Sequence, residues 1–371
     1  MSFTQFDRRA LDVRPLSERA SKLFIERDQV CVGCEHRPLS ARSAEVLCAV
    51  AERMRAARSA GRPVMMAFGA HTIKNGLGPV LIRLFEDGWI QHCATNGAGV
   101  IHDWEFAFQG KTSEDVRRYT DEGQFGIWEE TGFHLNLALV LGACDGLGYG
   151  ESIGRLIEGD GHEIPQREKL LQIIACAGES PEAAESAAAA ADTLAVVDRF
   201  ELPAGERLAV PHAWKRYSAQ AAAYRLGIPF TAHPMIGHDI IYTHPLNQCA
   251  AIGRAAQRDF LAFAHNVSRL EGGVYLSVGS AVMSPMIFEK SLSMARNVAR
   301  QRGERIDGHT ICVVDLAESN WDWSQGEPPM DSPDYYLRYC KTFSRMGGTM
   351  HYATADNRDF LLALCDALGV K

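Results

Sequence analysis

A doubly wound α/β fold, with a mostly parallel sheet covered on both faces, is what this sequence predicts. Three observations lead there. Short apolar runs alternate with longer stretches of helical periodicity. The apolar runs are nearly continuous, as in strands buried on both faces, rather than alternating as in half-exposed ones. No Pro/Gly/Ser-rich linker interrupts the 371 residues, so one large domain is favoured over two.

Taken in order, residues 1–40 read as an arm without a core of its own, and residues 41–371 as a single α/β domain. The predicted strands are VMMAF (64–68), QHCAT (91–95), RLAVP (207–211), PFTAH (229–233), VYLSV (274–278), TICVV (310–314) and TMHYA (349–353). Helical patterns occupy 42–58, 77–87, 215–226, 248–270, 285–302, 333–345 and 357–368. Residues 104–165 contain no clear strand and read as helical with glycine breaks. Ser180-Pro181-Glu182 has the N-cap, first-turn proline and acid that start a helix, and the alanine-rich run behind it continues to about 198. The helical insertion is therefore expected over about 104–200.

Composition excludes several classes. A net charge of -8 does not suit a nucleic-acid surface or a polybasic membrane anchor. No apolar run approaches the ~20 residues of a spanning helix. The segment MSFTQFDRRALDVRPLSERASK places charges where a signal peptide has its apolar core, so a cytoplasmic protein is expected. The ten cysteines, spread along the chain, read as reduced thiols. Cys31-Val-Gly-Cys34 has no second pair to complete a zinc site, and no metal is expected there.

In a doubly wound sheet, ligands sit beyond the carboxyl ends of the strands. Four strands are followed by glycine-bearing segments: GAHTIKNG after 64–68, NGAGVIHD after 91–95, PMIGHDIIYTHP after 229–233 and GSAVMSP after 274–278. Three of these also carry Asn, His, Asp or Lys. Glycine there lets backbone N–H groups approach a ligand, and a following helix adds partial positive charge. The small residues of ATNGAGVIHDWE (94–105) are accordingly expected to make room for a ligand. Neither GxGxxG after the first strand nor GxxxxGK[ST] occurs, so neither standard nucleotide device is present.

Other groupings have competing readings. His233, His238, Asp239 and His244 lie within twelve residues and could bind zinc, but no HExxH occurs and their spacing is irregular. Substrate binding or proton transfer by these groups is the preferred reading. GESIG (150–154) matches GxSxG, with Ser152 as nucleophile, but falls in a helical stretch instead of a strand-to-helix elbow. GIWEETGFHLN supplies Glu129, Glu130 and His134, carboxylates and an imidazole that could anchor an amine or form a solvated face.

Three segments resemble the deoxyhypusine synthase family: AFGAHTIKNGLGPVLIRLFEDGWIQHCATNGAGVIHDWE, YSAQAAAYRLGIPFTAHPMIGHD and GGVYLSVGSAVMSPMIFEKSLSMARN. They parallel, in order and spacing, that family's first glycine/serine/asparagine turn and Thr-Ala-Gly-Gly loop, its Pro-x-x-x-Asp-Gly loop and its triple-glycine loop. The resemblance implies an NAD-binding fold in a homotetramer, with NAD as a catalytic hydride store in polyamine-type amine chemistry. Carried over by position, it places Gly69, His71, Lys74 and Asn75 on the first NAD turn, and Thr95, Asn96, Gly97 and Asp103 on the second. It places Asp239 on the loop acid, and Gly279, Ser280 and Ala281 on the third loop.

One departure separates the chain from that family. The position of the family's imine-forming lysine falls on Ser284, and the two histidines after it fall on Pro285 and Met286; Lys290 lies six residues further on. The expectation is therefore an NAD-dependent transferase or C–N lyase that transiently oxidises a small amine or alcohol, without true deoxyhypusine synthase activity. Asp239 would be the substrate anchor or base, His238 and His102 the acid/base groups, and Glu130 a cation anchor. The alternatives are a metal-dependent hydrolase built on His233, His238, Asp239 and His244, and a non-catalytic ligand-binding protein.

Overall fold

The computed structural model describes residues 3–371. Six strands, β1 (Val64–Phe68), β2 (His92–Thr95), β3 (Phe230–Ala232), β4 (Val274–Val278), β5 (Thr310–Asp315) and β6 (Thr349–Thr354), form one sheet in the spatial order 3-2-1-4-5-6. Every pairing in it is parallel. The register aligns the carboxyl ends: Phe68 lies beside Thr95 on one side and Val278 on the other, and Thr95 beside Ala232. The chain builds outward from β1 in one direction and then returns to build from β4 in the other. The β1/β4 boundary is thus the topological switch point, where such sheets open a crevice.

The two-residue period of the strands sorts the core. Val64, Met66, Phe68, Leu276, Val278 and Val314 face one way, against helices Ala41–Ser59, Gly78–Glu86 and Asn357–Leu368. Met65, Ala67, Ala94, Tyr275, Ile311 and Val313 face the other, against Cys249–Val267 and Met283–Gln301. Both faces are covered along β1 to β5, which is why these strands are buried almost throughout, while β6 at the sheet edge alternates in burial.

The region expected to be helical contains Glu129–Cys144, Tyr149–Gly159, Arg167–Ala175 and Pro181–Arg199. Glu129–Cys144 buries Leu135 and Leu139 in one cluster and Leu137, Val140 and Leu141 in another. It is apolar on opposing sides because it is packed on opposing sides. Ser180 caps Pro181–Arg199, accepting from the Ala183 N–H at 3.1 Å.

Two short antiparallel pairs correct the strand reading. Lys111–Glu114, inside the stretch read as strand-free, pairs with Ser21–Phe24 from the N-terminal segment. Its KTSE sequence is polar because its inward residues, Thr112 and Glu114, enter a polar network and not the apolar core. Arg207–Ala209 is a strand but pairs with Gly161–Glu163, outside the main sheet. Ser152 lies within helix Tyr149–Gly159, buried, its hydroxyl donating to the Gly148 carbonyl at 2.5 Å. It has neither the elbow nor the exposure of a nucleophile. No helix of the described residues is long and apolar enough to cross a membrane.

Candidate active site

The carboxyl edge of β1, β2 and β3 carries a cavity of about 150 Å³ whose lining includes Lys74, His102, Glu105, His238, Asp239 and Arg19. Each side chain arrives for a local reason. Lys74 ends the short helix Ala70–Lys74 that follows β1. His102 and Glu105 project from helix Gly97–Gln109, which follows β2 directly because Asn96 caps it, its Oδ1 accepting from the Gly99 N–H at 2.9 Å. His238 and Asp239 lie on the long connection after β3. Arg19 comes from the N-terminal segment.

The buried centre of the wall is an ion pair. Arg19 Nη1 and Nη2 each lie 2.7 Å from a different Glu105 oxygen, and both side chains are 1% exposed. Thr131 donates to Glu105 Oε1 at 2.9 Å, and Thr112 donates to Oε2. Burial disfavours the Glu105 charge, but the Arg19 charge and these bonds outweigh it, and its pKa lies below the ordinary carboxylate range. Thr112 gives its one proton to Glu105. The contact at 2.8 Å between Thr112 Oγ1 and His102 Nδ1 therefore has Nδ1–H as donor, leaving Nε2 of His102 as an acceptor. Burial pushes the His102 imidazole down to about 4, so it is neutral near pH 7.

Asp239 differs from Glu105. Its Oδ2 is buried and has no hydrogen-bond partner among the described residues. Burial pushes its carboxyl up to about 6, with His238 acting weakly in the other direction. A Cβ built on Gly97 would lie 1.9 Å from that oxygen, so only glycine lets the carboxylate rest at the start of the helix. Likewise a Cβ on Gly99 would meet Thr95 Oγ1 at 2.2 Å, and one on Gly69 would meet the Gly279 carbonyl at 2.0 Å. Gly97, Gly99 and Gly69 thus admit other parts of the same chain instead of clearing the expected space for a ligand, while Ala98 between them lines the cavity. Lys74 forms no salt bridge among the described residues; burial, with Lys22 second, lowers its pKa.

Of the other residues singled out from the sequence, Asn75 donates to Asn357 Oδ1 at 2.8 Å and ties the β1 loop to the last helix. Thr95 donates to the Phe68 carbonyl at 3.0 Å. His71 is exposed beside the switch point. Asp103 does not line the cavity: it accepts from Ser218 Oγ at 2.5 Å, the N–H groups of Ala219 and Gln220, and Gln220 Nε2, capping helix Ala219–Leu226. Glu130 also stands apart, Oε2 accepting from the Leu16 N–H at 2.6 Å.

The four-residue metal grouping does not assemble. His233 bonds Thr231 Oγ1 at 3.0 Å, His244 faces Glu129 at 3.3 Å, and His238 is exposed. No group of three or more His, Cys, Asp or Glu side chains among the described residues is placed to hold a metal ion. Ser284 is buried with its hydroxyl 2.8 Å from that of Tyr275, and Lys290 is exposed beside Glu289. Neither supplies an amine to the cavity.

Arg19 and Glu105 were missed as site residues in the sequence. Glu105 had a signal, lying three residues after His102 on one helical face. Arg19 had none, since only folding brings the N-terminal segment there.

The switch point itself has features a dinucleotide would need. Gly279 adopts φ +57° and has no atom closer than 3.9 Å to its Cβ position. Helix Met283–Gln301 begins beside it with no side-chain bond from its N-cap residue Val282, although Ser280 Oγ accepts from the Ser284 N–H at 3.2 Å. Ala281 and Val282 are exposed. The remaining helix-start N–H groups and open backbone suit an anion such as a pyrophosphate. β2, however, ends in Thr95-Asn96 and offers no carboxylate for a ribose.

No family model and no curated protein matches the chain. Among solved structures it is similar to unliganded AgrE, with 16% identity over 90% of this chain and 34% of that one, at a TM-score of 0.44. AgrE in a ternary complex with ornithine and NAD+ gives 15% identity over the same shares, also at 0.44. A conserved putative LOR/SDH protein from Methanococcus maripaludis S2 gives 12% identity over 92% of this chain and 73% of that one, at 0.44. The chain spans about a third of the length of AgrE. Likeness of this degree says nothing of the chemistry, which rests on the site's own residues.

Proposed function

We propose that this chain is an NAD-dependent enzyme that transiently oxidises a small amine or alcohol and returns the hydride within the same cycle, as a transferase or C–N lyase. The observation that carries the reading is the Asp239 carboxylate, with one buried oxygen left unpartnered among the described residues, in a cavity beyond the carboxyl ends of β1, β2 and β3. A carboxylate that lines the cavity and has no salt bridge among the described residues can face a substrate cation or take a proton, while its buried Oδ2 rests against Gly97. His102, neutral with Nε2 free to accept, and His238 at the rim are the further proton-handling groups. Bound NAD would supply the hydride acceptor. His71, Gly279, Ser280 and Ala281, around the switch point, would hold it, while Gly69 and Asn75, which the resemblance also places there, would shape the turn through their contacts with Gly279 and Asn357. The family resemblance in the order of the loop segments supports the same cofactor. It also supports a homo-oligomer, tetrameric in the resembled family. The absence of a lysine at Ser284 argues against transfer to a protein lysine.

The test is direct. Calorimetric titration with NAD, and native mass spectrometry of the purified protein, should show one nucleotide per chain. Mixing with a panel of small amines and alcohols should raise the reduced-nicotinamide absorbance for at least one of them. Asp239→Asn should reduce that rate about 10²–10⁴-fold. No binding of NAD by any of these measurements sinks the cofactor assignment.

A further inference from the structure

The charged groups of the cavity divide into a paired set and an unpaired set. Glu105 is saturated by Arg19, Thr112 and Thr131. Glu114 accepts from Trp128 Nε1 at 2.8 Å and from the Gly126 N–H at 3.2 Å. Two groups of opposite sign remain, Asp239 and Lys74. They line one cavity, yet they form no salt bridge with each other, and Lys74 forms none with Glu105 or Glu114.

Flexible opposite charges in a confined space pair if they can. These are held apart by their anchorage, Asp239 against Gly97 beyond β2 and β3, and Lys74 at the end of the helix beyond β1. A carboxylate with a buried, unpartnered oxygen and a half-buried ammonium with no salt bridge, on one cavity, suit a molecule that brings a complement to each.

We infer that this cavity takes a small amino acid as its zwitterion, the ammonium at Asp239 and the carboxylate at Lys74. The inference rests on reading the cavity as the substrate site. Its volume of about 150 Å³ is below the ~300–1,000 Å³ of sites for drug-sized ligands and matches a small molecule rather than a whole nucleotide. Ala98, Ile101, Val116, Phe125 and Ile240 supply the apolar part of the lining and suit a short aliphatic side chain. A simple amine would leave Lys74 uncompensated, and a simple carboxylic acid would leave Asp239 so.

The experiment is calorimetric titration of the full chain with L-alanine, L-valine and L-threonine. Each is compared with the amine that lacks its carboxylate and the acid that lacks its amino group, for alanine ethylamine and propionate. At least one amino acid should bind tenfold or more tightly than both of its analogues. Lys74→Met should bring the amino acid and the amine to the same affinity in that variant, with the amine's own affinity no lower than in the parent. Asp239→Asn should lower it to the level of the acid. Thermal melting checks that both variants fold; Lys74 is partly exposed, so its replacement leaves the core intact. Equal affinity for the amino acid and its amine, no binding of any amino acid, or unchanged affinity in folded Lys74→Met overturns the inference. Each titration is run with and without NAD. Amino-acid binding without any nicotinamide signal removes the redox reading and leaves this one standing; oxidation of amines with no preference for the amino acid does the reverse.

Discussion

The carboxylate of Asp239 lies against the bare α-carbon of Gly97, so closely that a methyl group there would meet Oδ2 at 1.9 Å. The helix start after β2 and the connection after β3 therefore share one point of contact, and the orientation of the Asp239 side chain depends on it. Gly97→Ala should displace the carboxylate while sparing the fold. Gly97 is the first residue of a helix, where alanine is tolerated, and the nearest atoms its methyl would meet are all at the end of the Asp239 side chain. The expected result is an unchanged or higher melting temperature with ligand affinity reduced about tenfold or more. Unchanged affinity in a folded Gly97→Ala would remove Asp239 from the site.

Arg19→Met is expected to act on stability. It leaves Glu105 buried without its charge partner, a change that typically costs about 3–5 kcal/mol. Urea denaturation should show a loss of that order. The double variant Arg19→Met/Glu105→Leu should recover part of it, because no uncompensated charge remains. An Arg19→Met protein as stable as the parent would mean the pair is not formed.

Gly69→Ala should behave differently from Gly97→Ala. Its methyl would meet backbone, the Gly279 carbonyl at 2.0 Å, which cannot swing aside as a side chain can. The β1 and β4 loops must separate, at a cost of about 1–3 kcal/mol, and nucleotide binding at the switch point should weaken in parallel. Chemical denaturation and NAD titration on the same samples check both.

Acid should destabilise the protein well above the carboxylate range. Burial pushes His92 and His233 down to about 3, and His102, His134, His212 and His309 down to about 4. In the unfolded chain these imidazoles titrate near 6.5. As pH falls from 6.5 towards 4, the unfolded chain takes up protons that the folded chain refuses, so stability falls with pH. Buried Asp239, pushed up to about 6, and Asp259, pushed up to about 7, act in the opposite sense, because the folded state keeps protons the unfolded chain has lost. The histidines outnumber them and set the slope. The urea midpoint should drop steadily between pH 6.5 and 4.5; a rising midpoint would contradict the burial of these rings.

What the sequence determined by itself was the frame. Continuous apolar runs such as Val64–Phe68 and Val274–Val278 mark strands buried on both faces, and their alternation with amphipathic helices leaves a parallel sheet as the arrangement that covers them. The polarity of that sheet places the segments that follow three of its strands at one edge, which is why Lys74, His102 and Asp239 could each be singled out from the sequence; that they line one cavity, with Lys74 apart from the NAD turn assigned to it, is known only from the fold. Tertiary structure decided the rest. Whether a carboxylate is saturated or free depends on neighbours far along the chain: Asp103 is used up by helix Ala219–Leu226, Glu130 by the backbone of Leu16, and Glu105 by Arg19, while Asp239 keeps an unpartnered oxygen. The strand Lys111–Glu114 was hidden for the same reason, since its inward residues are polar and its partner lies about ninety residues earlier, at Ser21–Phe24. Periodicity reports how a segment partitions between core and solvent. It carries no information on which distant donor reaches a given acceptor, and that pairing is what separates the saturated carboxylates Asp103, Glu105 and Glu130 from Asp239, one oxygen of which has no partner among the described residues.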